Sequence, residues 1–375
     1  MKAPFTDRDC QDCGFHAQER RPDLSASKSA PGSRPTEYSL AAAREVPSSY
    51  RAPRWLPGGH LQTIHARFLG RNYPVRYRRE RWLTPDDDFI DLDTVKGSPD
   101  SGRLIVLFHG LEGCSRSHYA LSLMTLAAQL GWGGVVPHFR GCSGEANRRL
   151  RSYHSGDSGE IDWILRRIKH KRPDCRIYAA GVSLGGNMLL KWLGEQGEGA
   201  SAVVERAVAV SAPVDLVAAA GELDFGIKRI LYAEHFLRSM RPKTAAKIAA
   251  HGATIDPCAV SGSRTFRQFD DLYTAPIHGF KDAEDYWRRS SCKPWLKSIR
   301  VPTLLLNARN DPFLPSAALP GPGDVSEAVT LEFPGAGGHA GFVSGRFPGR
   351  LEWLPRRITQ FFNVGIGDSR ADPLS

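Results

Sequence analysis

A serine between glycines is the residue whose setting most clearly offers chemistry. Ser183 lies in the segment Gly181-Val182-Ser183-Leu184-Gly185-Gly186, directly after the apolar run 177–180. Glycines two positions on either side of a serine permit a tight turn from a strand into a helix, in which the hydroxyl stands clear of both elements. The pattern predicts a nucleophilic serine on such a turn, and a purely structural turn is the alternative.

A serine hydroxyl is a poor nucleophile near neutral pH, so it needs a histidine base and a carboxylate that orients the histidine. Asp311 follows the apolar strand pattern 301–307, and His339 lies in a glycine-rich loop after a second strand pattern, 329–333. Because catalytic groups of open α/β sheets collect beyond the carboxyl ends of the strands, we expect Asp311 to be the acid and His339 the base. Asp215, after the strand pattern 207–211, is the competing acid and ranks below Asp311.

The same chemistry requires N–H donors for the oxyanion of a tetrahedral intermediate. The backbone N–H of Leu184, directly after the serine, is one expected donor. The second is expected from the N–H of Leu111, because His109-Gly110-Leu111-Glu112-Gly113 follows the strand pattern 103–108. We interpret His109 as a brace for this loop and expect the Glu112 carboxylate to turn away from the oxyanion.

The elements that must position these groups alternate between strand and helix along the chain. This alternation predicts an α/β fold with a mostly parallel central sheet flanked by helices. An antiparallel pair is expected near 75–82 and 89–95. The other expected strands are 104–108, 133–138, 177–180, 207–211, 301–307 and 329–333, and the helices between them are 118–130, 159–170 and 184–193. Between 212 and 296 the pattern turns helical, with helices expected over 226–240 and 242–251, which predicts a lid insertion beside the site. A surface insertion without a gating role is the alternative.

The ends of the chain differ in composition from this region. Residues 1–48 are rich in Ser, Pro, Arg and Ala, which predicts a disordered polar tail, and 366–375 are expected to be flexible. The folded domain is then expected over 49–365, with the segment Trp55 to Ile64 as an ordered cap before the sheet. Cys10 and Cys13 form a lone C-x-x-C in the tail, and without a second pair at zinc-site spacing we predict no metal and no cofactor.

Composition narrows the classes of partner and compartment. Seven scattered cysteines, the absence of a long apolar run and a polar N-terminus predict a cytoplasmic protein. The net charge of +10 is dispersed and accompanies no known nucleic-acid motif, so nucleic acid is not expected as a partner. A basic surface does suit weak peripheral contact with an anionic membrane.

Several segments together resemble the YheT-like branch of the α/β-hydrolases, which includes abhydrolase-domain lipid esterases and is related to yeast medium-chain ethyl ester synthases. The matching segments, spread over about 50–362, are Gly59-His60-Leu61-Gln62-Thr63-Ile64, His109-Gly110-Leu111-Glu112-Gly113, His138-Phe139-Arg140-Gly141-Cys142-Ser143-Gly144, Tyr153-His154-Ser155-Gly156, Gly181-Val182-Ser183-Leu184-Gly185-Gly186-Asn187, Phe269-Asp270-Asp271, Asp311-Pro312-Phe313 and Gly338-His339. The resemblance implies an α/β-hydrolase fold and carries the family's triad onto Ser183, Asp311 and His339. The chain departs from the family's pattern at the polar N-terminal tail, where eukaryotic relatives often have a membrane anchor.

These observations predict a serine carboxylic ester hydrolase that acts on short- to medium-chain acyl or lipid esters through an acyl-enzyme on Ser183. Two alternatives remain open at this point. One is an acyltransferase that passes the acyl group to an alcohol, and the other is a catalytically idle binding protein with the same fold. A small-molecule or lipid ester is the expected partner in each case of catalysis.

Overall fold

A nine-stranded sheet organises the part of the chain that the computed structural model describes, residues 44–98 and 101–364. The strand order is β1-β9-β8-β7-β6-β4-β5-β3-β2. Only β3 runs against its neighbours, since it pairs antiparallel with both β2 and β5 while the other pairs are parallel. The strands are β1 (Arg44–Glu45), β2 (Arg78–Leu83), β3 (Phe89–Val95), β4 (Arg103–Phe108), β5 (Gly133–Pro137), β6 (Arg176–Val182), β7 (Arg206–Val210), β8 (Thr303–Leu306) and β9 (Val329–Glu332).

Twelve α-helices accompany the sheet in the described residues, together with short 3₁₀ and π turns. They are α1 (Gly59–Leu69), α2 (His118–Gln129), α3 (Ser158–Lys171), α4 (Leu184–Gln196), α5 (Leu216–Leu223), α6 (Gly226–Lys228), α7 (Glu234–His251), α8 (Pro257–Gly262), α9 (Phe266–Phe269), α10 (Ala275–Ile277), α11 (Ala283–Ser290) and α12 (Trp353–Asn363).

The central strands are buried on both faces because helices cover both sides of the sheet. All residues of β5 and β8, and all but the first of β4 and β6, are buried. One apolar cluster joins the sheet to α3 and α4, and a second joins it to α2 and α12. This is the predicted α/β architecture, and it brings the C-terminal ends of β4, β6, β8 and β9 to one edge.

The chain between β7 and β8 forms the predicted helical insertion, α5 to α11. Its helices share an apolar cluster of their own, which includes Leu237, Phe269 and Trp287. The predicted break before Pro242 is wrong, because α7 continues through that residue. The proline lacks the N–H that a helix would donate to the carbonyl of Arg238, four residues earlier.

The predicted tail boundary at residue 48 needs correction. Arg44–Glu45 pair with β9 in parallel register, and the Ser48 hydroxyl donates to Glu332 at 2.6 Å. Ordered structure therefore begins before residue 49, because the edge of β9 offers backbone partners that composition does not reveal. The rest of the predicted tail, including Cys10 and Cys13, and the predicted flexible segment 366–375 lie outside the described residues.

None of the helices in the described ranges has the length and apolar character needed to cross a bilayer. The cytoplasmic location stays a prediction.

Candidate active site

Ser183 occupies the turn between β6 and α4, with backbone angles φ 55° and ψ −122°. Such angles are costly for a residue with a side chain and persist only where surrounding contacts hold them. The Ser183 N–H donates to Val210 at 2.9 Å, and its carbonyl accepts from Gly186 and Asn187. A Cβ at Gly181 would lie 2.5 Å from the Gly185 carbonyl oxygen, so the flanking glycines are required by contact.

Ser183, His339 and Asp311 form one hydrogen-bonded chain. The Ser183 hydroxyl lies 2.8 Å from Nε2 of His339, and Nδ1 of His339 lies 2.9 Å from Oδ2 of Asp311. Since a carboxylate can only accept, Nδ1 carries the proton and Nε2 is free to accept from the serine. The Asp311 side chain is almost fully buried, and that of His339 is 10% exposed. The structure thus brings the three predicted triad residues together.

The loop that carries His339 is held by α1. The Thr63 hydroxyl accepts from the His339 N–H at 2.8 Å, and the Gln62 side-chain oxygen accepts from the Gly337 N–H at 2.8 Å. Asn310 completes the arrangement, since it donates to Gln62 and accepts from Gly338. Both α1 side chains are buried. These contacts hold the imidazole loop against the loop that carries Asp311.

Phe313 fixes the imidazole from another direction. Its ring stacks on that of His339 with centroids 3.9 Å apart and planes 13° apart. Its N–H donates to Oδ1 of Asp311 at 2.8 Å. One residue therefore supports both the base and the acid of the triad.

The loop after β4 lies against the serine. A Cβ at Gly110 would be 3.1 Å from the Ser183 Cβ, so only glycine permits this approach without displacement. His109 donates from Nδ1 to the Gly110 carbonyl at 2.8 Å and accepts at Nε2 from the Phe139 N–H at 3.0 Å. Burial lowers the pKa of His109 to about 3, so this imidazole is a neutral brace.

Leu111 and Leu184 line the cavity beside Ser183. The N–H of Leu184 is the first of α4, where helical N–H groups have no acceptor within the helix. The N–H groups on either side of Leu111 are engaged elsewhere, because that of Gly110 donates to the Tyr119 hydroxyl and that of Glu112 to the Tyr153 hydroxyl. The placement suits the predicted oxyanion donors.

The Glu112 carboxylate is bound by groups other than a substrate. It accepts from the Tyr153 hydroxyl at 3.1 Å and from Lys243 at 2.7 Å, and it also binds Ser239. Lys243 and Ser239 belong to α7, so the loop after β4 is tied to the insertion. The paired lysine offsets the negative charge near the site.

A cavity of about 150 Å³ extends from Ser183 into the insertion. Its wall is mostly apolar, with Leu216, Phe236, Met240, Phe269 and Trp287 among the contributors. A cavity of this character is suited to an acyl chain or another apolar group rather than to a charged substrate.

Burial shifts the pKa values of several polar groups in the cavity wall toward their uncharged forms. Burial lowers the pKa of His154 to about 4 and that of His278 to about 3. Burial also raises the pKa of Asp270 to about 7 and lowers that of Lys247 to about 8. Lys247 donates to the Arg151 carbonyl at 3.0 Å and to the Ser152 hydroxyl at 3.2 Å.

Asp215, the competing acid, is placed elsewhere. Its carboxylate accepts from the Ala218 N–H at 3.1 Å and caps α5. Within the described ranges, no group of three or more His, Cys, Asp or Glu side chains is arranged to hold a metal ion.

Sequence reasoning missed the positioning groups Gln62, Thr63, Asn310 and Phe313. The segment Gly59 to Thr63 carried the available signal, since it is both the predicted ordered cap and part of the family resemblance, yet neither of these gives it a role in the site. A Cβ at Gly59 would lie 1.9 Å from the Asn310 carbonyl oxygen, which shows how closely α1 packs on the triad loops.

Comparison with known proteins now identifies the family. The family described as having the alpha/beta hydrolase fold matches residues 103–345. YheT of Escherichia coli, whose name describes it as a candidate esterase, is 40% identical over 81% of this chain and 90% of its own. The chain belongs to the α/β-hydrolase family. This membership confirms the predicted fold class, the predicted kinship with YheT and the general class of hydrolase.

More distant relatives of this α/β-hydrolase also bear the names of hydrolases. Phospholipase ABHD3 of Homo sapiens is 28% identical over 86% of this chain and 80% of its own. Monoacylglycerol lipase of Saccharomyces cerevisiae is 26% identical over 76% of this chain and 63% of its own. The solved structure of the Pyrococcus furiosus esterase Pf2001 superposes with a TM-score of 0.52 over 88% of this chain and 98% of its own, at 15% identity, and supports the fold alone.

Proposed function

We propose that the protein is a serine carboxylic ester hydrolase for short- to medium-chain acyl or lipid esters. The hydrogen-bonded chain Ser183–His339–Asp311, whose serine lines an apolar cavity, is the observation that carries the proposal. The names of the relatives, a phospholipase and a monoacylglycerol lipase, support an ester of a fatty acid as the substrate class. Weak peripheral contact with an anionic membrane fits such substrates and belongs to the proposal.

The reaction has two halves. Ser183 Oγ attacks the ester carbonyl as Nε2 of His339 takes its proton, and the N–H groups of Leu111 and Leu184 bind the oxyanion. The imidazolium, stabilised by Asp311, returns the proton to the leaving alcohol, and an acyl-enzyme remains. Water then gives a proton to His339 as its oxygen attacks the acyl carbon. The imidazolium returns that proton to Ser183 Oγ as the bond from Oγ to the acyl carbon breaks, which releases the carboxylic acid and restores Ser183.

Hydrolysis of p-nitrophenyl esters from acetate to palmitate tests this proposal. Ser183→Ala should lower kcat by on the order of 10⁶ at every chain length, because the nucleophile is lost. Ser201→Ala, at an exposed serine, is the matched control and should retain wild-type rates. A fluorophosphonate probe should label Ser183 in the wild type. A folded protein that neither turns over nor labels would instead favour the idle binding protein.

The acyltransferase alternative shares the acyl-enzyme and differs in what attacks it. Adding ethanol during turnover separates the two functions. A hydrolase should continue to release mainly free acid, and the acyltransferase would release mainly the ethyl ester. Both products are resolved by gas chromatography from the same reaction.

A further inference from the structure

Exposed apolar side chains are concentrated on α1 and on residues 225–231 of the insertion, which follow α5. The described residues include ten exposed large apolar side chains, and six of them form what we call the outer patch: Leu61, Phe68, Phe225, Ile227, Ile230 and Leu231. Their exposed fractions range from 40% to 74%. Large exposed apolar patches mark interaction sites, whereas single scattered apolar side chains are ordinary on a protein surface.

Direct contacts join the two segments of the outer patch. The Tyr232 hydroxyl lies 2.8 Å from Nδ1 of His60, and Arg67 donates to Nε2 of His235 at 3.0 Å. Leu61 and Phe68 lie seven positions apart, so they share one exposed face of α1, next to the face that carries His60 and Arg67. The outer patch therefore spans neighbouring helices.

A further exposed ring extends the patch on the other side of α1. Trp55 contacts both His65 and Phe347, with ring centroids 5.2 Å and 5.4 Å away. Phe347 is itself 75% exposed. Seven of the ten exposed large apolar side chains of the described residues thus lie on α1 or on segments that contact or adjoin residues in contact with it.

The exposed charge around the outer patch is positive. Arg67 and Arg238 are exposed and Arg229 is half-buried, and none of them has an ion-paired carboxylate in the part of the chain that the structure describes. The neighbouring acids are engaged, since Glu222 pairs with Lys228 and Glu234 with Arg241. Asp224 is buried and accepts two backbone N–H bonds.

The opposite face of the same helical segment reaches the active site. Tyr232 packs on Phe313 with ring centroids 4.7 Å apart, and Phe313 stacks on His339. Phe236 and Met240, on the next turns of α7, line the cavity. A partner bound to the outer patch would therefore lie close to α7, the helix that lines the substrate cavity.

We propose that the outer patch docks on an anionic lipid bilayer, with its apolar side chains among the acyl chains and its arginines among the headgroups. Apolar side chains rimmed by arginines are the composition that suits this interface, and a neutral or cationic surface would not use the arginines. The inference deepens the membrane contact of the proposed function and rests on it, because docking would place the cavity beside lipid esters.

Co-sedimentation with vesicles tests the docking surface without any dependence on turnover. Vesicles of phosphatidylcholine with phosphatidylglycerol are compared with vesicles of phosphatidylcholine alone. The wild type should bind the anionic vesicles more tightly, and salt should weaken this difference. The double variant Ile227→Glu, Ile230→Glu should bind roughly tenfold or more weakly, because two exposed apolar side chains that would enter the acyl chains are replaced by charges that the headgroups repel.

Two further variants separate the parts of the proposal. Leu83→Glu changes an exposed apolar side chain on the edge strand β2, which is not part of the outer patch. This variant should bind as the wild type does. Arg238→Gln should lose about fivefold in affinity for anionic vesicles only. Circular dichroism and the rate on soluble p-nitrophenyl butyrate should be unchanged in all of these variants, which shows that they fold.

Three results would overturn the docking surface. The first is that Leu83→Glu loses as much binding as the double variant. The second is that the double variant binds as tightly as the wild type, and the third is that the wild type binds neither kind of vesicle.

A second copy of the chain is the other occupant to consider. A wild-type dimer in analytical ultracentrifugation that the double variant converts to monomer, with vesicle binding unaltered, would assign the patch to self-association. An inactive protein that still binds anionic vesicles through the patch would refute the esterase and keep the surface.

Discussion

At the scale of single residues, the Ser183 hydroxyl gains its reactivity from neighbours that are distant in sequence. His339 accepts its proton, Asp311 holds the imidazole, and Phe313 supports both of these groups. Asp215 also follows a strand, yet its carboxylate caps a helix. The two aspartates therefore offer a direct test of which carboxylate serves the histidine.

Asp311→Asn should lower kcat by about 10⁴-fold, because an amide no longer stabilises the imidazolium or selects its tautomer. Asp215→Asn is the matched change. It should leave kcat near the wild-type value and cost at most about 1 kcal/mol of stability through a weaker helix cap. Steady-state kinetics and urea denaturation of both variants check the assignment, and the reverse pattern would make Asp215 the acid.

Thr63 acts on the reaction through the His339 backbone. Thr63→Val removes the acceptor of the His339 N–H and leaves a buried donor unpaired, which typically costs about 1–3 kcal/mol. We expect kcat to fall about tenfold or more with little change in KM, because the base is misplaced rather than the substrate. Thr63→Ser keeps the hydroxyl and should restore most of kcat. Equal losses in both variants would show that the methyl group, and not the hydrogen bond, matters.

At the scale of elements, the site depends on how closely α4 approaches the sheet. A Cβ at Gly185 would lie 2.5 Å from the backbone oxygens of both Phe108 and His109. The glycine thus lets the first turn of α4 rest on the end of β4. Asn187, one turn in, donates to the carbonyls of Ser155 and Ser290 and anchors the end of the insertion to the same helix.

Gly185→Ala should lower stability by about 1–3 kcal/mol and reduce kcat, because the added methyl group pushes α4 away from the loop that carries Leu111. Gly159→Ala, in α3, is the matched control. No atom lies within 4 Å of a Cβ there, so the helix should gain up to about 1 kcal/mol. Thermal denaturation and ester hydrolysis measure both effects, and a stable, active Gly185→Ala protein would contradict the packing argument.

At the scale of the whole molecule, several buried groups make folding depend on pH. Burial lowers the pKa values of His109, His154 and His278 to about 3–4, so they are protonated more readily in the unfolded chain and oppose folding as the pH falls below their ordinary range. Asp270 acts in the opposite direction. Burial raises the pKa of Asp270 to about 7. Its contribution to the stability of the folded state is therefore present at low pH and is lost as the pH rises through about 7.

Asp270→Asn isolates this second effect. Asp270 accepts from Thr274 and Trp287, and an amide can bond with both of these groups without ever becoming charged. As the pH rises from about 4 to about 8, the free energy of unfolding of the variant should increase relative to that of the wild type by on the order of 2–4 kcal/mol. Urea denaturation across this range measures the difference. A constant difference would mean that Asp270 does not titrate between these pH values.

Local patterns in the chain were enough to predict much of this architecture. The Gly181 to Gly186 turn, the strand patterns before Asp311 and His339, and the helical composition of 212–296 each reflect chemistry that acts over a few residues. The positions of β6 and α4 agree with the prediction to within three residues at each end. The family resemblance then placed the same three residues in one triad, and membership of the family is confirmed.

What only the tertiary structure decided are the contacts between segments far apart in the chain. Sequence alone determined the turn that presents Ser183 and the order of the strands along the chain, because backbone sterics and side-chain periodicity are local. It did not reveal that Gln62 and Thr63 hold the His339 loop, that β1 adds to β9, or that Glu112 binds α7. Nor did it place exposed apolar residues of α1 beside those of the insertion. These long-range contacts depend on which surfaces meet when the helices pack on the sheet, and local sequence patterns do not specify that packing.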